Sequence, residues 1–380
     1  MKHAFTETIL AILTRHFEGL STFVFENSPL LQYVNIKTRS ANKGSKSRSA
    51  FANHYALYVL IEDYIQQGFL LTRKGEYEHY EGARFMALLQ RQRSLPFGAK
   101  LQNHALNTRL NDEFTKYFPT LDLYPILRDQ EKQRYWINER LLIVKFYDGD
   151  RLLTMNIAQA ILDIIESYIA IKQTAFEEFL RTCKQIALLP QTNEQTALAF
   201  IQNQLQPNVD ARIFEIISFA ILKTYYGERA IFWGWAADKI QIESLILYKT
   251  GRTNANDGGI DFVMKPLGRF FQVTETMDVS KYFLDIDKIQ RFPLTFIIKT
   301  NEQPDKLLEN IRQKAFDKYG INTIVERYMQ AIEQIINIPQ LLDMLEEVSQ
   351  HAKLRQVMNE IILHSQNEFN YLDALDADGE

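Results

Sequence analysis

Apolar residues recur at intervals of three or four along much of the chain, which is the spacing of one face of a helix. This spacing predicts helices over residues 1–34, 53–67, 156–187 and 304–369. The first half of the chain is therefore predicted to be mainly helical, with one strand candidate in RLLIVKFY. In the second half, a further helix is predicted from Ala211 to Gly227, because Asp210 is a suitable N-cap and glycine commonly ends a helix.

The second half also contains short apolar runs bounded by turn residues, which are typical of strands. A helix is predicted in DVSKYFLDIDKIQRF, just before the last of these runs. The order of helix, strands, helix, strand and helices predicts an α/β layered core. We expect two domains, residues 1–190 and 191–380, that meet near Pro190. The strand candidates are AIFWGW, SLILYKT, GIDFVMK, RFFQVTE and LTFIIKT.

Composition narrows the class of protein. The 380 residues are 46% hydrophobic and 24% charged, with a net charge of −4, so a globular protein without an overall basic field is expected. Cys183 is the single cysteine, which excludes an internal disulfide and disfavours a cysteine zinc site. We find neither an apolar run of membrane-spanning length nor a signal-peptide pattern, and expect a cytoplasmic protein.

Positive charge is concentrated locally instead. Residues 37–48 and 84–110 contain no acidic residue, and each run is either a solvated segment or a surface that contacts DNA phosphates. The second run also carries amide side chains, which can hydrogen-bond to base edges. The candidate DNA-contacting residues are Lys37, Arg39, Lys43, Lys46, Arg48, Arg91, Arg93, Lys100, Asn103, Arg109, Arg252 and Asn254.

The most informative segment is YKTGRTNANDGGIDFVMKPLGRFFQVTETMD, residues 248–278. NDGG and KPLGR are turn sequences, so the two runs around KPLGR are predicted to form a hairpin. If residue 261 pairs with residue 274, then Asp261, Gln272 and Thr274 share one face; a slip of one residue would gather Asp261, Val273 and Glu275 instead. Either cluster offers oxygen ligands for a hard divalent cation.

GGIDF, followed eleven residues after its aspartate by FQVT, resembles the restriction-endonuclease-like superfamily, in particular its Mrr-like branch. ARIFEIISFAILKTYYG resembles the helix that supplies that fold with an acidic residue, here Glu215. The wider chain is similar to type II restriction enzymes in YKTGRTNANDGGIDFVMKPLGRFFQVTE and NIKTRSANKGSKSRSAFANHYALY. The resemblance implies a mixed sheet flanked by helices over roughly residues 208–300, with a mainly helical DNA-recognition region before it.

The same resemblance implies a PD-(D/E)xK-type site that binds Mg²⁺ and no organic cofactor. Asp261 would be the central metal ligand, Glu215 a second one, and Gln272 the variable acid or amide. The departure is Thr274, which stands where the family has a lysine that activates the attacking water. Three alternatives remain: a lysine from elsewhere fills the space, Glu275 serves as an extra ligand or base, or the site is inactive. The candidate lysines are Lys249, Lys265 and Lys281.

We therefore expect a Mg²⁺-dependent, site-specific DNA endonuclease of a bacterial restriction–modification system, acting on double-stranded DNA as a homodimer. A two-fold symmetric protein matches a palindromic site. The first alternative is a sequence-specific DNA-binding protein with a nuclease-like fold and no catalysis, which the missing lysine favours. The second is a protein–protein scaffold, which the two acid-free basic runs disfavour. No motif indicates a zinc protease, a serine hydrolase or a P-loop NTPase.

Overall fold

The computed structural model describes residues 2–39, 47–99, 101–189, 194–250, 260–275 and 278–369. The chain divides into two compact units, residues 1–178 and 179–380, and the division lies within a single long helix. Both units mix helices with small sheets, so the chain belongs to the α/β class. No helix in the described ranges combines the length and the apolar character that a membrane crossing requires.

The first unit is mainly helical, as the sequence predicts for this half. Its core is formed by apolar side chains from the first four helices, the small three-stranded sheet β1-β3-β2 and the start of the last helix. A separate hairpin joins β4 and β5. The helices are α1 (Ala4–Phe17), α2 (Ser21–Asn27), α3 (Pro29–Thr38), α4 (Ser47–Gln66), α5 (Phe85–Ser94), α6 (Leu110–Tyr117) and α7 (Ala158–Ala187), and the strands are β1 (Ala83–Arg84), β2 (Ile126–Asp129), β3 (Arg134–Ile137), β4 (Ile143–Asp148) and β5 (Arg151–Asn156).

The second unit is built around a five-stranded mixed sheet with the order β12-β11-β10-β9-β8. Strands β8, β9 and β10 are antiparallel, whereas β10, β11 and β12 are parallel, and β6 and β7 form a separate hairpin. The strands are β6 (Ala230–Trp233), β7 (Gln241–Ser244), β8 (Ile246–Lys249), β9 (Phe262–Lys265), β10 (Arg269–Thr274), β11 (Leu294–Ile298) and β12 (Ile332–Ile336), and the helices are α8 (Glu194–Asn203), α9 (Ala211–Gly227), α10 (Val279–Lys288), α11 (Pro304–Tyr319), α12 (Asn322–Met329), α13 (Ile338–Gln350) and α14 (Leu354–Phe369).

Helices cover both faces of this sheet. On one face, Phe219 and Tyr226 of α9 contact Phe262 and Phe271, with ring centroids 5.1 and 6.2 Å apart. On the other face, the side chains of β11 enter a core shared with α10, α11 and α12. Strand side chains alternate between faces, so this two-layer cover explains why β11 is buried along its whole length.

Several sequence predictions are confirmed here. Helix α9 begins after Asp210, whose side chain accepts a hydrogen bond from the Arg212 amide, and it ends at Gly227. The predicted hairpin around KPLGR is the β9–β10 pair. The prediction of an unbroken helical region over residues 304–369 is wrong at β12, where Ile332, Ile335 and Ile336 pair in parallel with β11. β-branched side chains favour a strand wherever a sheet edge is available, and periodicity alone does not reveal that edge.

Candidate metal and phosphodiester site

Asp261 directly precedes β9, and its backbone bonds to the neighbouring segments on both sides. Its backbone amide donates to Phe271 O at 3.2 Å, and its carbonyl accepts from the Thr250 amide at 3.0 Å. Phe271 pairs with Phe262, and continuing this register places Asp261 opposite Gln272. The predicted pairing of residue 261 with residue 274 is therefore wrong, and so is the register that differs from it by one residue. The observed register differs from the 261–274 pairing by two residues. A shift of two residues keeps each side chain on the same face, so Asp261, Gln272 and Thr274 still share one face.

Glu215 reaches the site from α9, the helix that covers one face of the sheet. Its Oε1 lies 2.8 Å from Nζ of Lys249, the last residue of β8, and both side chains are 20% exposed. Lys249 pairs with Phe262 across β8 and β9, so it lies one residue away from the pairing position of Asp261. The structure thus brings an acid, a lysine and Asp261 together at one end of the sheet.

The ionisation of Asp261 reflects this environment. Burial and the negative charge of Glu215 raise the pKa of Asp261 to about 8. The Val273 amide, which donates to Asp261 Oδ2 at 2.7 Å, and the nearby Lys249 and Lys281 oppose that rise. Two neighbouring carboxylates are stabilised when one is protonated or when a cation lies near both.

Gln272 lies on β10, the strand next to Asp261. Its side chain is only 7% exposed, and Oε1 has no hydrogen-bond partner within the described residues. A buried carbonyl oxygen without a partner costs about 1–3 kcal/mol, so its presence favours a ligand at this position. Strand alternation directs Gln272 to the face opposite Phe271, which contacts α9, whereas Glu215 reaches the site from α9, so the oxygens of Gln272 and Glu215 do not form one ligand set. Across the described residues, no site gathers three or more His, Cys, Asp or Glu side chains.

Thr274 does not replace the family lysine chemically. It is buried at 4% exposure and hydrogen-bonds to Tyr282 of α10. Of the three candidate lysines, Lys249 lies beside Glu215 and acts electrostatically on Asp261, and Lys281 acts on Asp261 from an exposed position on α10. Lys265 is exposed at the opposite end of β9. The geometry therefore favours Lys249 as the lysine of this site.

Glu275 has a different environment from the other predicted site residues. Strand alternation directs it to the face opposite Gln272 and Thr274. Its Oε1 lies 2.7 Å from Lys299 Nζ, and the Lys299 side chain is 1% exposed. Lys299 also donates to the carbonyl of Val209. Sequence reasoning missed Lys299, although a lysine ending the fully apolar strand LTFII signals a buried charge that needs a partner.

The predicted DNA-contacting residues are distributed over the first unit. Lys37 and Arg109 both bind Glu113, at 2.7 and 3.2 Å, and these two cations overcome burial to lower the pKa of that carboxylate. Arg91 makes a bidentate ion pair with Glu62 at 2.7 and 2.8 Å. The two acid-free runs therefore receive acidic partners from other elements, which a linear sequence does not reveal.

Of the remaining candidate DNA-contacting residues, Arg39 and Arg93 form no ion pair with any other described residue, and several others lie outside the described residues. Arg93 donates to Leu101 O at 3.1 Å, Arg39 is exposed and Asn103 is partly buried. Arg48 lies in α4. Lys43, Lys46, Lys100, Arg252 and Asn254 lie outside the described residues.

No known protein family, curated protein or solved structure matches the chain.

Proposed function

We propose that the protein is a metal-dependent endonuclease that hydrolyses phosphodiester bonds in double-stranded DNA, with a divergent PD-(D/E)xK-type site in a restriction-endonuclease-like core. The observation that carries this proposal is the meeting of Asp261, Glu215 and Lys249 where β8 and β9 adjoin, with the unpartnered oxygen of Gln272 on the next strand. A mixed sheet with α9 on one face and α10 on the other supports the fold assignment.

The residues of the site have separate roles in this proposal. Asp261 and Glu215 would hold Mg²⁺ through their carboxylate oxygens, and Gln272 would occupy the variable acid or amide position of the motif. When bound, Mg²⁺ supplies Lewis acidity, which polarises the scissile phosphate and lowers the pKa of the attacking water. The Val273 amide orients the Asp261 carboxylate through its 2.7 Å hydrogen bond.

Lys249 takes the role that the family assigns to the lysine at the position of Thr274. In the present structure its ammonium neutralises Glu215 at 2.8 Å. With a cation bound by the two carboxylates, the same ammonium is available to the negative charge that develops on the phosphate. Fixed positive charge near such a group is worth several kcal/mol in a site that excludes water.

Double-stranded DNA as substrate, cleavage at a defined sequence and a homodimeric state follow from the resemblance to type II restriction enzymes. Cutting both strands of a palindromic site requires two active sites related by a two-fold axis. A restriction–modification role is the corresponding biological setting. Each of these finer assignments is part of the proposal.

The alternative is a DNA-binding protein with a nuclease-like fold and no catalysis. Thr274 favours it, because the usual lysine is absent and the threonine is engaged with Tyr282. Lys249 disfavours it, because a lysine is present beside the acids after all.

One experiment separates these functions. Plasmid DNA is incubated with Mg²⁺ and either the wild-type protein or Asp261→Ala. Discrete fragments from the wild type alone support the nuclease. Retarded but intact DNA with both proteins supports the DNA-binding alternative. Intact DNA without retardation contradicts both and leaves a protein–protein scaffold.

A further inference from the structure

The first unit contains an open cleft of about 640 Å³, formed by the end of α4, the segment 73–84, the start of α5 and β3. Every wall of the cleft belongs to the first unit. None of its residues belongs to the metal site. The polar and charged side chains of its walls include Glu62, Asp63, Gln66, Arg84, Arg91 and Arg134.

The walls of the cleft are held in place by hydrogen bonds and close packing. Arg91 is fixed by its bidentate pair with Glu62, and Tyr80 donates to Asp63 at 2.8 Å. Gly82 has a φ of +85°, and a Cβ there would lie 2.5 Å from the Trp136 ring, so the backbone approaches the tryptophan as only glycine permits. Arg134 donates to Gly82 O at 2.9 Å. Arg91, Asp63 and Arg134 are thus held in fixed positions.

The charge of the cleft is mixed, which distinguishes it from a phosphate site. A surface that only follows the DNA backbone is dominated by lysine and arginine. Here arginines alternate with carboxylates and an amide, which are the side chains that pair with guanine, cytosine and adenine edges. Arg84 is exposed and forms no ion pair or side-chain hydrogen bond anywhere in the described part of the chain. Its full set of donors is available to a ligand.

We infer that this cleft is a base-reading site, in which Arg84 donates to a guanine edge and Asp63 or Gln66 pairs with a neighbouring base. The inference rests on the proposed function, because it assigns to that nuclease the element that selects its sequence. It concerns DNA bases, and a free nucleotide or inorganic phosphate would be an alternative ligand of the same cleft.

Arg84→Ala is the test variant, because an exposed side chain without partners can be removed without damage to the fold. Arg15→Ala is the matched control, since Arg15 is also an exposed arginine of the first unit and lies outside the cleft. Both variants and the wild type are used to select bound sequences from random duplex DNA with Ca²⁺ in place of Mg²⁺. The same proteins are then assayed for cleavage of the selected sequence and of a scrambled duplex.

Arg84→Ala is expected to lower binding and cleavage of the selected sequence by about tenfold or more and to relax the preference at one base pair. Binding to the scrambled duplex stays within about twofold, and Arg15→Ala behaves as the wild type. An equal loss on both duplexes identifies a phosphate contact and overturns the inference, as does an unchanged preference.

Failure of the inference and failure of the proposed function give different results. If the wild type cleaves DNA and Arg84→Ala retains its sequence preference, the nuclease stands and the base-reading cleft does not. If the wild type selects a sequence but never cleaves it, the cleft can still be judged from the selected sequences. If the wild type binds no DNA, both proposals are contradicted.

Discussion

Substitution of Lys249 tests the proposed catalytic role of this lysine, because a structural role and a catalytic role predict different effects of Mg²⁺ on stability and on cleavage. Lys249→Met keeps most of the side-chain volume and removes the charge. Its ammonium is 2.8 Å from Glu215, and both side chains are 20% exposed. At that separation the attraction is about 6 kcal/mol with an effective dielectric constant of 20, much of it offset by desolvation.

Loss of one partner costs up to about 1 kcal/mol for a surface pair and about 3–5 kcal/mol for a buried one. We therefore expect Lys249→Met to lower the free energy of unfolding by about 2 kcal/mol in urea without metal. The variant also leaves Glu215 and Asp261 without their nearest cation, so Mg²⁺ should bind about tenfold more tightly and restore part of the lost stability. Cleavage should nevertheless fall by about 100-fold or more.

The control is Lys265→Met, which removes an exposed lysine from the far end of β9 and should change neither stability nor cleavage. A purely structural lysine would give weaker binding of Mg²⁺, or cleavage that recovers once Mg²⁺ has restored the fold. Cleavage by Lys249→Met within about twofold of the wild-type rate would refute the assignment.

Three further predictions concern the same region. Folding raises the pKa of Asp261 to about 8, so between about pH 4 and pH 8 the folded protein holds a proton that the unfolded chain has released. The free energy of unfolding should therefore fall by up to about 1.4 kcal/mol for each unit that the pH rises across this range. Asp261→Asn or saturating Mg²⁺ should flatten this slope, measured by urea unfolding at a series of pH values. A slope that Asp261→Asn leaves unchanged would count against this ionisation. Glu275→Gln leaves the Lys299 ammonium without its carboxylate partner in a position where its side chain is 1% exposed, and should lower the free energy of unfolding in urea by about 3 kcal/mol; a loss below about 0.5 kcal/mol would contradict a buried ion pair between these two residues. Gln272→Leu removes a buried oxygen without a partner and should raise the free energy of unfolding in urea by about 1 kcal/mol; a lower free energy of unfolding would show that this oxygen is satisfied in the folded protein.

Much of the architecture of the second unit follows from local sequence signals. Asp210 and Gly227 define α9 because capping acts within a few residues, and KPLGR defines the β9–β10 turn for the same reason. The sequence also predicts that Asp261, Gln272 and Thr274 share one face of the sheet. This prediction holds because side chains alternate between faces, so an error of two residues in the register does not change the face. These are interactions between residues close in the chain, which a linear pattern records.

Interactions between distant elements could not be predicted in this way. Strand β12 depends on pairing with the edge of β11, whereas the sequence pattern predicts a helix over this segment. Lys249, and not Lys265 or Lys281, lies beside Glu215 because α9 packs against β8. The ion pair of Lys37 with Glu113 likewise joins residues that are far apart in the sequence. Charge balance is a property of the folded surface, so a run without acids need not form a basic patch.

The most direct test of the central claim is the single-turnover cleavage rate of a DNA fragment that contains the selected sequence, measured with Mg²⁺ for the wild type, Asp261→Asn and Asp238→Asn. Asp238 is an exposed aspartate of the second unit and serves as the matched control. The account predicts that Asp261→Asn binds the fragment normally and loses about 1,000-fold or more in rate, whereas Asp238→Asn cleaves as the wild type. Equal rates for all three proteins, or no Mg²⁺-dependent cleavage by the wild type, would contradict it.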